Sequence, residues 1–331
     1  MNEEQLLIID TAKRIFHDRC DKSVVDAAEW DNEGGVGQFP TELWNTLEET
    51  GLTSIGVDPE QGGSGGAFSD ALLILRQAGV AAAPIPLAEH LVALQILALA
   101  KVEAPKGIIS VARLQQGQLV GVRFSEVADW LLLVQDHSVA LLENQDLAWQ
   151  QVSGIAGESV AGLSAHPEVE FFSLDNAAET LMNLGARARA NMMSGAMSEV
   201  LALSVQYVSD REQFGRSLSK FQAIQHQLAV LAGEVAACQR AADATLESDS
   251  PLDVAIAKSR LGEAVTQVSD IAHQVHGAIG YTLEHALNLR TRRLWQWRDE
   301  YGAERYWQIQ IGRHFCDRGA DHLWGSVTDL G

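Results

Sequence analysis

The chain has 331 residues, of which 47% are hydrophobic and 21% charged, and its formal net charge is -20. A chain of this length and composition can build two or three domains with substantial cores. The acidic charge excludes nucleic acid as a partner, because no basic surplus neutralises a phosphate backbone, and it gives no general attraction to an anionic membrane.

Cysteine usage and the N-terminus indicate a cytoplasmic protein. Cys20, Cys238 and Cys316 lie far apart and form no Cys-x-x-Cys pair, so three reduced thiols are expected. The N-terminus is acidic and begins a helical pattern, unlike a signal peptide. The most apolar stretch, residues 91–100, is too short to span a bilayer.

Residues 1–105 are expected to form an all-α domain, because apolar residues recur there at helical spacing. One helix is predicted to begin near Pro40 and to stop at Gly51. The loop 58–66 is too rich in glycine to be helical, and the helical pattern resumes at Asp70.

Residues 106–175 carry short apolar runs separated by polar residues or glycine, a pattern typical of strands. The runs lie at residues 108–111, 119–124, 130–134, 139–142 and 169–174. A small, reduced β-domain is therefore predicted between two helical regions.

Residues 176–331 return to a helical pattern. Helices are predicted to end near Ser209, to cover residues 222–246 and 252–276, and to follow Glu284 with an interruption near Gly302. Four long helices joined by short links predict an antiparallel four-helix bundle. The fold class is thus mainly α with a small β-domain.

Two short motifs in the C-terminal region carry chemistry. Residues 211–215 (Arg-Glu-Gln-Phe-Gly) place an arginine, an amide and an aromatic ring together, and residues 274–281 (Gln-Val-His-Gly-Ala-Ile-Gly-Tyr) are rich in glycine. An arginine pairs with a phosphate in bidentate fashion, and glycines let the backbone approach a phosphate closely. His273, His276 and His285 have no carboxylate at metal-ligand spacing, so no metal site is expected.

In this order, the two motifs resemble the C-terminal domain of the acyl-CoA dehydrogenases. Residues 39–44 (Phe-Pro-Thr-Glu-Leu-Trp), 62–66 (Gly-Gly-Ser-Gly-Gly) and 83–90 (Ala-Pro-Ile-Pro-Leu-Ala-Glu-His) resemble the N-terminal domain of the same family. The resemblance implies the family order of an N-terminal helical domain, a middle β-domain and a C-terminal four-helix bundle.

The resemblance also implies FAD as cofactor and an acyl-CoA thioester as substrate. In the family, a carboxylate removes the α-proton while the β-hydrogen leaves as hydride to the flavin, and an electron-transfer flavoprotein accepts the electrons. By resemblance, the cofactor-binding residues are Arg211, Gln213, Phe214, Gln274, Gly277 and Ala278. Arg211 would contact the pyrophosphate, and the others would hold the ADP portion of FAD in a neighbouring subunit.

The chain departs from the family at the catalytic base. The usual base position falls at Tyr301, before Gly302, and the second family position falls near Gly185. A tyrosine has an ordinary pKa near 10 and is a poor base at neutral pH. Glu300 is the nearest candidate for a displaced base, with a solvated surface acid as the alternative. The middle domain also lacks the Thr-Glu-Pro, Gly-Ser-Asp and Trp-Ile-Thr/Ser segments that contact flavin and substrate in the family.

The missing base and the reduced middle domain fit one subset of the family. In both respects this chain resembles the shorter, base-lacking chain of the α2β2 acyl-CoA dehydrogenases that act on steroid side-chain thioesters. Residues 277–285 (Gly-Ala-Ile-Gly-Tyr-Thr-Leu-Glu-His) resemble a motif of those steroid-type chains. This implies a second, base-bearing chain as partner and a bulky acyl group in steroid degradation. Two alternatives stay open, namely a self-sufficient homo-oligomer with Glu300 as base and a non-catalytic interaction protein on the same scaffold.

Overall fold

The computed structural model describes residues 2–29, 37–115, 118–145, 147–163 and 168–328. The outermost residues of the predicted domains, 1 and 329–331, lie outside these ranges. Helices come first along the chain, strands follow, and helices return, so the predicted fold class is confirmed.

The described residues of the first helical layer form five α-helices. They are α1 (Glu3–Arg19), α2 (Lys22–Ala28), α3 (Thr41–Glu49), α4 (Phe68–Ala81) and α5 (Leu87–Ala100). Gly51 adopts a φ of 73°, a left-handed conformation that ends the segment after α3 where the sequence predicts a stop. Helix α5 is buried on nearly every side and is mostly apolar, as a helix at the centre of a layer must be, with Glu89 and His90 as its buried polar residues.

The sheet has seven strands in the order β5-β6-β2-β1-β3-β4-β7. The strands are β1 (Ile109–Gln115), β2 (Gln118–Arg123), β3 (Trp130–Val134), β4 (Ser138–Glu143), β5 (Gln150–Ser153), β6 (Ser159–Leu163) and β7 (Phe172–Ser173). Strands β1 and β3 pair in parallel with Ile109 opposite Trp130, and the other pairs are antiparallel. The apolar runs predicted β1 to β4 and β7, whereas β5 and β6 carry too few apolar residues to be recognised.

The C-terminal region contains the long helices of the bundle. They are α6 (Ala177–Asp210), α7 (Gln222–Glu247), α8 (Pro251–His276), α9 (Leu287–Asp299), α10 (Glu304–Arg318) and the short α11 (Leu323–Thr328). A two-residue ladder of β8 (Glu212–Gln213) and β9 (Arg216–Ser217) follows α6. The predicted interruption near Gly302 is the break between α9 and α10.

Glycines let α4 and α6 approach each other closely. A Cβ at Gly79 would lie 2.0 Å from the carbonyl oxygen of Met192, and one at Gly195 would lie 2.0 Å from that of Arg76. Any larger residue at either position would force the helices apart. Because α6 continues to the first motif, this contact fixes the N-terminal helices relative to the candidate site.

Candidate functional site

The first motif forms a tight hairpin at the end of α6. Phe214 and Gly215 occupy its two central positions, with φ angles of 54° and 79°. Two successive positive φ values are those of a type I′ turn, which favours asparagine or glycine and strains a bulky residue. Phe214 is nevertheless 91% exposed, and its ring meets that of Phe221 edge-on, with ring centroids 6.3 Å apart.

The second motif begins where α8 ends. Gly277 caps the helix with a φ of 62° and a ψ of -145°, a region open essentially to glycine alone. A Cβ at Gly277 would meet no heavy atom within 4 Å, so the space in front of this backbone is open. Gln274 and Ala278 on either side are exposed, which leaves the segment accessible to a ligand.

Aromatic and imidazole rings join the two motifs. Tyr207, one turn before Arg211 on α6, stacks on His276 with ring centroids 4.6 Å apart. The ring of His285 stands edge-on to both, at 6.2 Å from Tyr207 and 4.7 Å from His276. The motifs are thus brought together although about sixty residues separate them in sequence.

A cavity of about 340 Å³ lies at this junction. The residues that line it are Leu203, Gln206, Tyr207, Asp210, Arg211 and His285. The side chain of Arg211 is exposed, and none of the ion pairs found among the described residues involves its guanidinium group. A free arginine beside an open glycine backbone fits a phosphate-bearing group such as the ADP portion of FAD.

The two positions at which the sequence resemblance predicts a catalytic base, residues 301 and 185, lie against each other, and neither is acidic. The ring of Tyr301 rests on Gly185 of α6, where an added Cβ would lie 2.3 Å from Tyr301 Cδ1. Burial raises the pKa of Tyr301 above its ordinary value, so the phenol stays protonated. Tyr301 has a φ of 51°, in a turn between α9 and α10 that Trp307 Nε1 holds by donating to the carbonyl oxygens of Tyr301 and Gly302.

Glu300 is not a solvated surface acid. Its carboxylate accepts a hydrogen bond from Arg189 Nε and lies 3.4 Å from Arg123 Nε. Burial alone would raise the pKa of Glu300, but the charges of Arg189 and Arg123 outweigh it and the pKa is lowered. A carboxylate held by two guanidinium groups is a weak base.

These charges belong to a buried network that joins all parts of the chain. Arg189 also binds Glu89 of α5, and Arg123 of β2 also binds Glu158 beside β6. From Glu158 the network continues through Arg293 of α9 to Glu29 after α2, with 3.0 Å between paired atoms in both steps.

Lys258 supports the turn that contains Tyr301 and Gly302. Its ammonium group is buried and donates to the carbonyl oxygens of Trp297, Arg298 and Gly302 at 3.0, 2.7 and 3.1 Å. The first two carbonyls belong to the last turn of α9, which has no helical partner for them. Burial lowers the pKa of Lys258 to about 7, with the charge of Glu300 acting in the opposite direction.

Sequence reasoning found the exposed motifs but missed this buried network. Arg123, Arg189 and Lys258 are charged residues inside apolar strand or helix patterns, and that signal could have identified them, whereas Glu158 lies in the loop before β6 and carries no such signal. Two absences hold for the residues that the structure describes. No group of three or more His, Cys, Asp or Glu is placed to hold a metal ion, and no helix is both long and apolar enough to cross a membrane.

Comparison with known proteins identifies relatives along most of the chain. The acyl-CoA dehydrogenase N-terminal domain model matches residues 2–104, and the C-terminal domain model matches residues 175–307. Acyl-CoA dehydrogenase IpdE2 of Mycolicibacterium smegmatis is 26% identical over 305 residues, which cover 88% of this chain and 93% of the relative.

Solved structures share the fold. The ChsE4-ChsE5 complex from Mycobacterium tuberculosis gives a TM-score of 0.83 at 21% identity, over 97% of this chain and 99% of that chain. The Tcur3481-Tcur3483 steroid ACAD G363A variant gives 0.82 at 21% identity, over 95% and 98%.

Fold and family models together define the class of this protein, an oxidoreductase that acts on CH–CH bonds and belongs to a group of FAD-dependent flavoproteins. The chain belongs to the acyl-CoA dehydrogenase family.

Proposed function

We propose that this chain is the base-lacking subunit of a heteromeric acyl-CoA dehydrogenase and that it completes the FAD site of a base-bearing partner chain. Arg211, Gln213, Phe214, Gln274, Gly277 and Ala278 would hold the ADP portion of the partner's FAD. The partner would supply the carboxylate that removes the α-proton, and an electron-transfer flavoprotein would take the electrons.

The contact between Tyr301 and Gly185 carries this proposal. Both positions at which the family places its base are occupied, one by a buried phenol and the other by a glycine beneath it. Glu300, the acid beside them, is neutralised by Arg189 and Arg123. The residues that would serve a neighbour's cofactor are exposed instead.

Two solved structures that share the fold support the proposed partner and the proposed substrate class. The similar ChsE4-ChsE5 structure is a complex of two proteins, and the Tcur3481-Tcur3483 structure is a steroid ACAD. Together with the steroid-type motif at residues 277–285, they favour a CoA thioester with a bulky, steroid-type acyl group.

Co-expression tests the proposal. The chain alone should purify without flavin absorbance, whereas the chain with a base-bearing acyl-CoA dehydrogenase subunit should purify as a yellow complex whose flavin is bleached by acyl-CoA. Full flavin content and turnover in the isolated chain would refute the proposal, and absence of flavin from every assembly would favour a non-catalytic interaction protein.

Glu300→Gln separates the proposal from a self-sufficient enzyme with a displaced base. In the complex, the variant should bleach its flavin at an unchanged rate per bound flavin, because the base belongs to the partner. Normalising to bound flavin removes any loss of folded protein caused by breaking the pairs with Arg189 and Arg123. A loss of bleaching of about 100-fold or more, typical of removing a general base, would assign the base to Glu300.

A further inference from the structure

We propose that His285 is a second phosphate-positioning residue of the FAD site, and that its Nε2–H donates to the same ligand that Arg211 binds. This inference rests on the function proposed above. It extends the cofactor contacts to a residue outside the two motifs that the sequence singled out for that role.

His285 lies in the same part of the fold as Arg211. His285 and Arg211 line one cavity, although His285 precedes α9 and Arg211 follows α6. The open backbone at Gly277 belongs to the segment that leads to His285. A phosphate that Arg211 binds inside this cavity would therefore occupy a space whose wall His285 also forms.

A hydrogen bond to the His285 ring determines which of its two nitrogens carries the proton. The backbone N–H of Leu287, at the start of α9, donates to His285 Nδ1 at 3.1 Å. This imidazole satisfies one of the free N–H groups at the start of the helix. A nitrogen that accepts a hydrogen bond carries no proton, so the neutral ring holds its proton on Nε2. Of the two ring nitrogens, Nε2 is thus the one able to donate to a ligand oxygen.

The ring of His285 is held in a fixed orientation by its neighbours. Tyr207 and His276 both meet the His285 ring edge to face, and His276 is itself held by its Nδ1 hydrogen bond to the carbonyl oxygen of Ala272 at 2.7 Å. The side-chain amide of Asn288 donates to the carbonyl oxygen of His285 at 2.6 Å, which fixes the backbone. A donor held by three neighbours loses little entropy when a ligand binds.

Charges around the ring favour the neutral donor. Burial lowers the pKa of His285, and the charges of Arg290 and His273 lower it further. Among the residues that line the cavity, Asp210 is the carboxylate and opposes an anion, while Arg211 favours one. The donor on His285 adds a hydrogen bond on the favourable side without adding charge.

The test measures FAD dissociation from the purified complex by the fluorescence of released FAD on dilution. His285→Asn keeps an acceptor at the position of Nδ1, and so keeps the start of α9, but loses the donor at Nε2. We expect it to bind FAD about 10-fold more weakly, as for a lost hydrogen bond to a charged group. His285→Gln, whose amide reaches the Nε2 position, should stay within about 3-fold of the parent.

Two further variants make the outcome interpretable. Arg211→Gln reports whether this chain holds the FAD at all, and His17→Asn on α1 is the matched control, expected to leave FAD binding unchanged. Unchanged FAD binding in Arg211→Gln would refute the proposed function. Loss of FAD in Arg211→Gln together with parent-like binding in His285→Asn would refute the role of His285 alone.

Discussion

Phe214 combines two features that rarely occur together, a left-handed backbone and an almost fully exposed aromatic ring. Neither feature adds much stability to the isolated chain, because the backbone is strained and the ring, which meets only the edge of Phe221 among the aromatic contacts of the described residues, stays almost fully exposed. Strain of this kind persists where binding uses it. The hairpin tip is therefore shaped for a contact outside the chain, consistent with the proposed ADP site on a partner.

The substitution Phe214→Gly should have opposite effects on the free chain and on the complex. Glycine adopts the positive φ without strain, so the free chain should gain about 1 kcal/mol or less of unfolding free energy. FAD affinity of the complex should fall at the same time. Urea unfolding of the free chain and FAD titration of the complex measure the two effects, and an unchanged FAD affinity would contradict the role of the ring.

His90 gives the folded chain a dependence on acid. Its ring is buried, its Nδ1 accepts a hydrogen bond from the N–H of Ile109 at 3.1 Å, and burial lowers its pKa from 6.5 to about 4. Between these pH values the unfolded chain binds the proton and the folded chain does not. Stability from this residue is therefore complete above pH 6.5 and is lost as the pH falls towards 4.

The size of this effect is about 3 kcal/mol over the window. His90→Gln, whose amide does not titrate, should flatten the decline in unfolding free energy between pH 6.5 and 4. Denaturant unfolding at several pH values measures the slope. A slope that stays the same in His90→Gln would contradict this account.

The long helices could be predicted from the sequence, whereas strands β5 and β6 of the sheet could not. The patterns ending near Ser209 and covering residues 222–246 and 252–276 correspond to α6, α7 and α8, because long amphipathic helices repeat their signal over many turns. The two unrecognised strands, β5 and β6, are short and rich in Gln, Ser and Gly, so their pairing depends on neighbours rather than on local pattern.

The contact between α6 and the turn after α9 is open to a double-mutant cycle. Gly185→Ala should cost about 1 to 3 kcal/mol of unfolding free energy, because the new methyl group overlaps the ring of Tyr301. Tyr301→Ala removes that ring, so the double variant should be more stable than the sum of the two single effects. Denaturant midpoints measure the cycle, and strict additivity would mean that the two residues do not touch.

At the scale of the whole molecule, the buried charges tie the first helices, the sheet and the bundle together. Arg123 pairs with both Glu158 and Glu300, so Arg123→Met leaves two buried carboxylates without this partner. We expect a loss of about 3 to 5 kcal/mol in unfolding free energy. Arg19→Met, which breaks an exposed pair with Glu42, should cost about 1 kcal/mol or less, and equal losses would contradict the special role of the network.

The exposed part of the candidate site could be proposed from the sequence, whereas its buried part could not. Arg211 and Gly277 lie in short local motifs whose chemistry is readable from residue types. Arg189 and Arg123 are remote in sequence from Glu300, and nothing local predicts that they neutralise it. A prediction of Glu300 as a free acid follows from sequence alone, and only the fold provides the partners that change its chemistry.

The closed turn at Tyr301 also bears on whether this chain could gain a catalytic base of its own. A glutamate at residue 301 would replace a ring that packs on Gly185, and it would stand next to Glu300, whose two arginines are already engaged. Restoring a working base would require coordinated changes in the turn, in α6 and in β2. No single mutation supplies these, so under the proposed function this chain would stay dependent on its partner, and the two genes would have to be inherited together.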